Sequence, residues 1–224
     1  MRLLYKFTSR SRPQKFIECI DNIYINSRHE DYFILATLDK DDKTMNNEDM
    51  IEKMKRYDKL YPIWGESKTK IEAYNRDMEA AMEWDILIAT SDDMLFVKNG
   101  FDRTIIDDMA FRFPDLDGLL HYNDGNQKDN VITLPIMGKK YYERFNYIYH
   151  PSYTSLWCDN EQMDVARKLS KYKYMGDDTI IFRHYHPAWG KGSMDALYTR
   201  NESRENWIKD EQNYLTRKQN NFFI

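Results

Sequence analysis

The sequence predicts an α/β protein whose central, mostly parallel sheet is flanked by helices. Apolar runs of strand length alternate with segments of helical periodicity through the first 110 residues, and such alternation is typical of parallel strands joined by right-handed crossovers. The clearest run lies within 84–91 and indicates a strand that is buried on both faces. A chain of 224 residues, 42% hydrophobic and 31% charged, suits one folded domain.

The elements of the first half follow from apolar spacing and from turn residues. We expect Ser11 to cap a helix that holds Pro13 in its first turn, because a hydroxyl accepts from free N–H groups and proline fits that turn. Apolar residues then recur at helical spacing. The predicted order is a strand at 2–7, this helix, a strand at 32–38, a helix at 47–57, a strand at 60–64, a helix from 65 to 83 and the strand before Asp92.

The second half has a less regular pattern. The predicted elements are strands at 117–120, 131–135 and 179–183, a helix at 159–170 and an aromatic block at 141–157. The polar stretch from Ser193 is predicted to be helical. We therefore divide the chain into one domain at 1–190, with a nucleotide-binding half at 1–110 and an acceptor half at 111–190, and a helical tail at 191–224 that packs on it.

Charge and cysteine content argue against several classes of protein. The net charge of -4 disfavours a protein whose whole surface grips nucleic acid, although it permits a local basic groove. Cys19 and Cys158 form neither a disulfide framework nor a zinc motif, and they suit buried thiols in a reducing cytosol. The N-terminus is too short and too charged for a signal peptide, and no stretch approaches the roughly 18 apolar residues of a membrane span. These features predict a cytoplasmic protein without an integral membrane segment.

Polar clusters follow the predicted strands, where open α/β sheets bind their ligands. The first cluster combines the hydroxyls of Thr8 and Ser9 with the guanidiniums of Arg10 and Arg12 at the start of a helix. Such groups suit a phosphate, because exposed N–H groups and guanidiniums both donate to its oxygens. An ordinary basic helix entry explains the same residues equally well.

Carboxylates end two of the strands. Asp92 and Asp93 follow the clearest strand, and adjacent acids repel each other unless a cation joins them. A hard divalent metal with a phosphate-bearing substrate supplies that cation, so we predict metal binding at Asp93, with a helix cap as the alternative. Asp39, followed by Asp41 and Asp42, is predicted to accept hydrogen bonds from a ribose or a nucleobase, and a solvated turn is the alternative.

Three further groups are candidates. Lys68 and Asn75 are placed to reach a base or a diphosphate, or else form a polar helix face. A carboxylate at 159–161 is suited to act as a general base or to cap its helix. We predict that one of His184 and His186 is a metal ligand, because alternate residues of a strand point in opposite directions. Satisfied core or surface histidines are the alternative.

Taken together, these motifs resemble GT-A fold (Rossmann-like) glycosyltransferases, most like glycosyltransferase family 2, over roughly residues 3 to 190. The segment 6–13 looks like the family's opening strand and helix, and Asp39 occupies the place of its nucleotide-binding acid. The stretch 65–75 is similar to the family's Gly-x-Ser through Ala-x-Asn pattern. The segment 91–93 looks like its Asp-x-Asp motif with a degenerate first position.

The resemblance implies roles for the strand-end residues. Asp93 would hold the metal, and Asp92 beside Ser91 would help to hold the ribose or the metal. The family's late histidine ligand matches His184 or His186, and a His-x-x-Pro spacing favours His184.

The resemblance also implies a general base. The family's Glu-Asp pair, which opens a helix ending in Arg, falls on Asn160–Glu161 when counted back from Arg167. This departs from the usual Glu-Asp and leaves the assignment split between Glu161, which is favoured, and Asp159, the alternate.

The activity implied is metal-dependent transfer, with Mn²⁺ or Mg²⁺, of a sugar from a nucleotide-diphosphate sugar to an acceptor hydroxyl, with inversion. A UDP-sugar is the default donor, and the acceptor is a glycan, a protein or lipid carrier, or a hydroxymethylated DNA base. One alternative is a sugar-phosphate nucleotidyltransferase, although the loop at 8–13 lacks glycine. Another is a non-catalytic glycan-binding protein on the same fold. Metal-dependent hydrolysis of a nucleotide sugar separates the enzymes from the binding protein.

Overall fold

A computed structural model describes residues 1–187, 190–191 and 194–224. Its strands are β1 Leu3–Thr8, β2 Tyr32–Asp39, β3 Leu60–Gly65, β4 Ile86–Ser91, β5 Met94–Phe96, β6 Leu119–His121, β7 Ile136–Gly138, β8 Tyr172–Tyr174 and β9 Phe182–His184. The α-helices of these ranges are α1 Pro13–Asn26, α2 Glu48–Met54, α3 Lys70–Asn75, α4 Phe101–Arg112, α5 Lys139–Glu143, α6 Cys158–Lys168, α7 Ala196–Asn201 and α8 Arg204–Gln219.

The predicted α/β class with a mostly parallel central sheet is confirmed. Seven strands lie in the order β3-β2-β1-β4-β7-β6-β8. The first four in this order are mutually parallel, β7 runs antiparallel to both of its neighbours, and β6 is parallel to β8. A separate two-stranded sheet pairs β5 with β9. Among the described residues, no helix is both long and apolar enough to cross a membrane.

Burial explains why the central strands form where the apolar runs predict them. All eight residues of β2 are buried, and β1 and β4 are buried except at their last residues. Leu3, Tyr5 and Phe7 pack into the core on one face of the sheet, whereas Leu4 packs on the other. Thr8 at the end of β1 lies beside Ser91 at the end of β4 and beside Thr37, two residues before the end of β2, so the three strands end at one edge of the sheet.

Several local predictions are wrong. Arg12 takes the N-cap position of α1 without a side-chain cap bond, and Ser11 has a positive φ of 59°, although Pro13 is the first helical residue as expected. The helix expected at 65–83 is short, because the chain turns extended after Asn75 and left-handed at Asp77.

The second half shows larger differences. The residues at 131–135 are not a strand, and the strand follows them at Ile136–Gly138. The strand expected at 179–183 begins only at Phe182. Helix α4 and strand β8 were not predicted. Ser193, the expected start of the tail, lies outside the described residues, and α7 and α8 follow it.

Candidate active site

A cleft of about 420 Å³ opens where β1, β2 and β4 end. Eleven of the residues singled out in the sequence line it: Thr8, Ser9, Arg10, Arg12, Asp39, Ser91, Asp92, Asp93, Asp159, His184 and His186. The carboxyl ends of the parallel strands bring the first eight together, as the sheet predicts. The last three come from α6, from the end of β9 and from the segment that follows β9.

The adjacent acids at the end of β4 have different partners. Asp92 accepts from the Ser9 hydroxyl at 2.6 Å and from the Arg12 guanidinium at 2.8 Å. Burial and the charge of Asp93 raise the pKa of Asp92 to about 6, against the opposing effect of Arg12. Two buried carboxylates of one pair thus differ in how readily they hold a proton.

Asp93 is the acid that stays ionised. Burial opposes its charge, but hydrogen bonds from His184, Ser91 and Tyr198 lower its pKa. The Ser91 hydroxyl donates to Asp93 Oδ1 at 2.5 Å, and the Tyr198 hydroxyl donates to Oδ2. Asp93 therefore presents a buried negative charge in the cleft.

Both histidines line the cleft, so the expectation that only one faces it is wrong. Strand β9 ends at His184, and the alternation of a strand therefore does not extend to His186. His184 Nε2 lies 3.4 Å from Asp93 Oδ2, and Nδ1 lies 3.8 Å from Asp124 Oδ2. Despite its burial, these two acids raise the pKa of His184 to about 9. His186 Nε2 lies 2.6 Å from Glu202 Oε1.

The carboxylate at the end of β2 carries a buried acceptor atom. Arg10 donates to Asp39 Oδ2 at 2.9 Å, and Arg76 Nη1 lies 3.5 Å from Oδ1. Asp39 Oδ1 has no hydrogen bond within the described residues. Asp41 also binds Arg10, whereas Asp42 accepts from Ser11 N at 2.6 Å and shapes the turn.

The two candidate bases lie on different sides of α6. Asp159 lines the cleft, and its pKa is raised by burial against the opposing charge of Lys70. Glu161 is buried elsewhere, where it accepts from Arg217 at 2.8 and 2.9 Å and from the Tyr153 hydroxyl at 2.7 Å. Residues two apart on a helix point about 200° apart, so one helix start cannot present both acids to the same cleft.

Two predicted binding residues do not line the cleft. Lys68 has an exposed side chain, and its backbone N–H donates to Glu72. Asn75 instead shapes the aromatic block: its amide donates to Tyr149 O at 2.6 Å and accepts from Ile148 N at 2.9 Å and from Tyr149 N at 3.1 Å. Both of its polar groups are thus occupied by backbone.

The structure adds cleft residues that the sequence analysis missed. Lys70 comes from α3 and Tyr198 comes from α7, and Arg76, though not a lining residue, adjoins Asp39. The Thr69-x-x-Glu72 spacing is a capping-box signature that would have marked Lys70 as the first helical residue. No comparable local signal marks Tyr198, because its partner Asp93 lies 105 positions away.

Comparisons with known proteins bear on the fold. No family model matches the chain, and no curated protein matches its sequence. Among solved structures, the mannosyltransferase PcManGT from Pyrobaculum calidifontis, in complex with GDP-Man and Mn²⁺, is similar with a TM-score of 0.63 at 12% identity. That match covers 92% of this chain and 69% of that one.

S. aureus TarS is also similar, with a TM-score of 0.62 at 10% identity, over 82% of this chain and 36% of that one. TarS 1-349 in complex with UDP-GlcNAc gives a TM-score of 0.62 at 12% identity, over 82% of this chain and 58% of that one. The chain thus matches little more than a third of TarS. Its fold is a GT-A-like glycosyltransferase fold, as the sequence resemblance implied.

Proposed function

We propose that this protein is a metal-dependent glycosyltransferase that moves a sugar from a UDP-sugar to an acceptor hydroxyl with inversion. The observation that carries the proposal is one cleft, at the strand ends of a GT-A-like fold, lined by Asp39, Asp93 and Asp159. Asp39 is suited to bind the nucleobase of the donor, Asp93 to bind a cation and Asp159 to accept a proton. The PcManGT and TarS complexes with GDP-Man and UDP-GlcNAc support a nucleotide-sugar donor.

The surroundings of Asp39 support uracil as the donor base. Its unbonded Oδ1 atom is a single buried acceptor, and two guanidiniums, those of Arg10 and Arg76, adjoin the same carboxylate. Uracil presents one N–H between two carbonyl oxygens, which suits one acceptor accompanied by donors. Guanine presents two neighbouring N–H donors, of which a single acceptor can pair only one. Cytosine presents an unprotonated ring nitrogen, which leaves Asp39 Oδ1 without a donor. Each unpaired buried group weakens binding.

Asp93 and His184 are the residues that would hold a divalent cation, and binding would displace the proton that His184 otherwise holds. Among the described residues, no three acidic, histidine or cysteine side chains cluster to hold an ion by themselves. One carboxylate, one imidazole and the oxygens of a substrate diphosphate are nevertheless a donor set that Mg²⁺ or Mn²⁺ accepts. When bound, the cation neutralises charge on the leaving diphosphate.

Asp159 is the proposed general base. Burial favours its neutral form, which makes the ionised carboxylate a stronger proton acceptor. Asp159 takes the proton of the acceptor hydroxyl while the hydroxyl oxygen forms a bond to the anomeric carbon. The bond from that carbon to the diphosphate breaks, and its electron pair stays on the phosphate oxygen. Attack from the face opposite the leaving group inverts the anomeric centre.

A thermal-shift screen tests the donor. UDP, GDP, CDP and ADP are each added with Mn²⁺, with Mg²⁺ and with chelator, because a ligand that binds the folded state raises the melting temperature. We expect UDP with Mn²⁺ to give the largest shift, and Asp39→Asn to reduce the preference for UDP over GDP. Release of UDP from UDP-sugars in the presence of metal then tests catalysis.

Two outcomes would count against parts of this proposal. A larger shift with GDP than with UDP would overturn the uracil assignment and leave the transferase class standing. Absence of any shift with all four nucleotides, at concentrations that saturate known transferases of this fold, would overturn the nucleotide-sugar function itself.

A further inference from the structure

A lysine of the cleft has no direct partner among the residues that the structure describes. Lys70 is the first residue of α3, where Thr69 caps the helix by accepting from Glu72 N at 3.0 Å. Ile71 anchors the helix in the core with 1% exposure. Lys70 and Ala73 line the cleft, as does Tyr74, which is also part of the core. Lys70 is an exposed residue that contributes to the wall of that cleft.

The arginines of the cleft, unlike Lys70, have direct protein partners; Arg200 donates to Asn201 Oδ1 at 3.4 Å, and the other two are paired with acids. Arg10 binds Asp39 and Asp41, and Arg12 binds Asp92 and Asp195. Lys70 makes no hydrogen bond and no ion pair within 4.0 Å in the ranges 1–187, 190–191 and 194–224. Its ammonium is therefore available to a ligand without breaking a protein contact.

The electrostatic surroundings keep this ammonium charged. Lys70 is exposed to solvent in the cleft, yet the protein atoms around it partly desolvate the ammonium, which by itself would lower the pKa of Lys70; Tyr74, Cys158, Asp159 and Asp93 raise that pKa. The lysine is thus near both the acid proposed to hold the cation and the acid proposed as base. A charged, partnerless ammonium at that place suits an anion that enters the cleft.

We propose that Lys70 is a donor-positioning residue whose ammonium binds the diphosphate of the nucleotide sugar. The inference rests on the proposed function, since it assigns a part of the same donor. A diphosphate placed beside Asp92 and Asp93 adds negative charge to two acids, and Arg12 is already engaged by Asp92 and Asp195. Lys70 supplies the positive charge that the paired arginines do not.

Lys70 also acts on the leaving group. When the bond between the anomeric carbon and the diphosphate breaks, its electron pair remains on a terminal phosphate oxygen. An ammonium held in the cleft stabilises that charge as it develops, which favours the transition state more than the ground state. Lys70 needs no proton transfer for this role.

Binding of UDP and of uridine separates a phosphate contact from a base contact. UDP is titrated by calorimetry, and uridine by ligand-observed NMR, into the wild type, Lys70→Met and Lys70→Arg. We expect Lys70→Met to weaken UDP about tenfold or more, the effect of one charge-assisted hydrogen bond, and to leave uridine unchanged. Lys70→Arg should retain most of the wild-type affinity for UDP, because it keeps the positive charge.

Lys98→Met is the matched control, because Lys98 is exposed and does not line the cleft. It should bind UDP as the wild type does, and circular dichroism should show that each variant is folded. If the wild type binds UDP and Lys70→Met binds it equally well, this inference fails and the proposed function stands. Equal weakening of UDP and uridine would also overturn the phosphate contact. A wild type that binds no UDP overturns both proposals.

Discussion

Asp210 of α8 holds the loop that leads to the proposed base. Its carboxylate is fully buried and accepts three backbone N–H groups: Thr154 N at 2.9 Å on Oδ1, and Ser155 N at 2.8 Å and Leu156 N at 2.9 Å on Oδ2. Ser155 and Leu156 line the cleft, and α6 begins two residues later. Replacing Asp210 therefore tests whether this one side chain fixes the loop.

The structure sets the size of the effect. Asp210→Ala leaves one buried donor and two partly buried donors without their acceptor, and we expect a loss of about 3–5 kcal/mol in the free energy of unfolding. For a chain of this size, that loss lowers the melting temperature by about 6–20 °C. Asp210→Asn keeps one oxygen, which can accept from the two donors that Oδ2 binds. Its NH₂ group then replaces Oδ1 opposite Thr154 N, so we expect a loss of about 1–3 kcal/mol in the free energy of unfolding.

The assay is thermal and urea unfolding of Asp210→Ala, Asp210→Asn and the control Glu211→Ala. Glu211 is the next residue of α8 and has no hydrogen bond or ion pair in the described part of the chain. We expect the control to lie within about 0.5 kcal/mol of the wild type. The graded order of wild type, Asn and Ala is specific to an acceptor role.

A melting temperature of Asp210→Ala equal to that of Glu211→Ala would refute this reasoning. So would equal destabilisation by Asn and Ala, because the retained oxygen would then contribute nothing. Under the proposed function, Asp210→Asn should also lower kcat more than it raises KM for the donor, since it displaces the loop before Asp159.

Two further predictions concern the site, and a third concerns a buried lysine of β1. Asp159→Asn should lower kcat by orders of magnitude with UDP affinity retained. Glu161→Gln should mainly destabilise the fold, by about 1–3 kcal/mol, because it weakens the buried pair with Arg217. The reverse pattern in kinetics and unfolding would assign the role of general base to Glu161. Asp93→Asn should abolish the metal-dependent part of UDP binding as chelator does, and calorimetry showing undiminished Mn²⁺ dependence would contradict its role. Burial lowers the pKa of Lys6 from 10.5 to about 7. Between these pH values the unfolded chain holds a proton on Lys6 that the folded chain lacks, so the free energy of unfolding should rise with pH. The free energies of urea unfolding of the wild type and Lys6→Met should therefore diverge as the pH rises, and parallel pH profiles would contradict this prediction.

The ends of the central strands were predictable because a strand that is buried on both faces appears in the sequence as a continuous apolar run. The continuous apolar run before Asp92 and Asp93, and the one before Asp39, place those acids at one edge of the sheet without further information. The short strands were not predictable in this way. Residues 131–136 are nearly all apolar, and the strand starts only at Ile136, where pairing with β4 decides it.

The sequence did not decide between Asp159 and Glu161 as the general base, because the exact start of α6 is not marked in it. Trp157 precedes α6 in a left-handed conformation, with φ of 62° and no side-chain cap bond, so none of the usual N-cap signals marks the boundary. The contacts of Glu161 with Tyr153 and Arg217, which turn Asp159 toward the cleft, join segments that a sequence pattern does not connect. Lys70, in contrast, was within reach of sequence analysis through its capping box, whereas Tyr198 depends on a contact between distant segments.

The cleft is closed by residues from opposite ends of the sequence. Arg12, the N-cap residue of α1, binds Asp195, a contact that spans 183 positions, and Asp210 in α8 fixes the loop before the proposed base. During synthesis, segments emerge in order, and contacts between distant segments form last. A nascent chain that has already completed its parallel strands still lacks a finished pocket, so ligand binding should begin only after the final helices have been made.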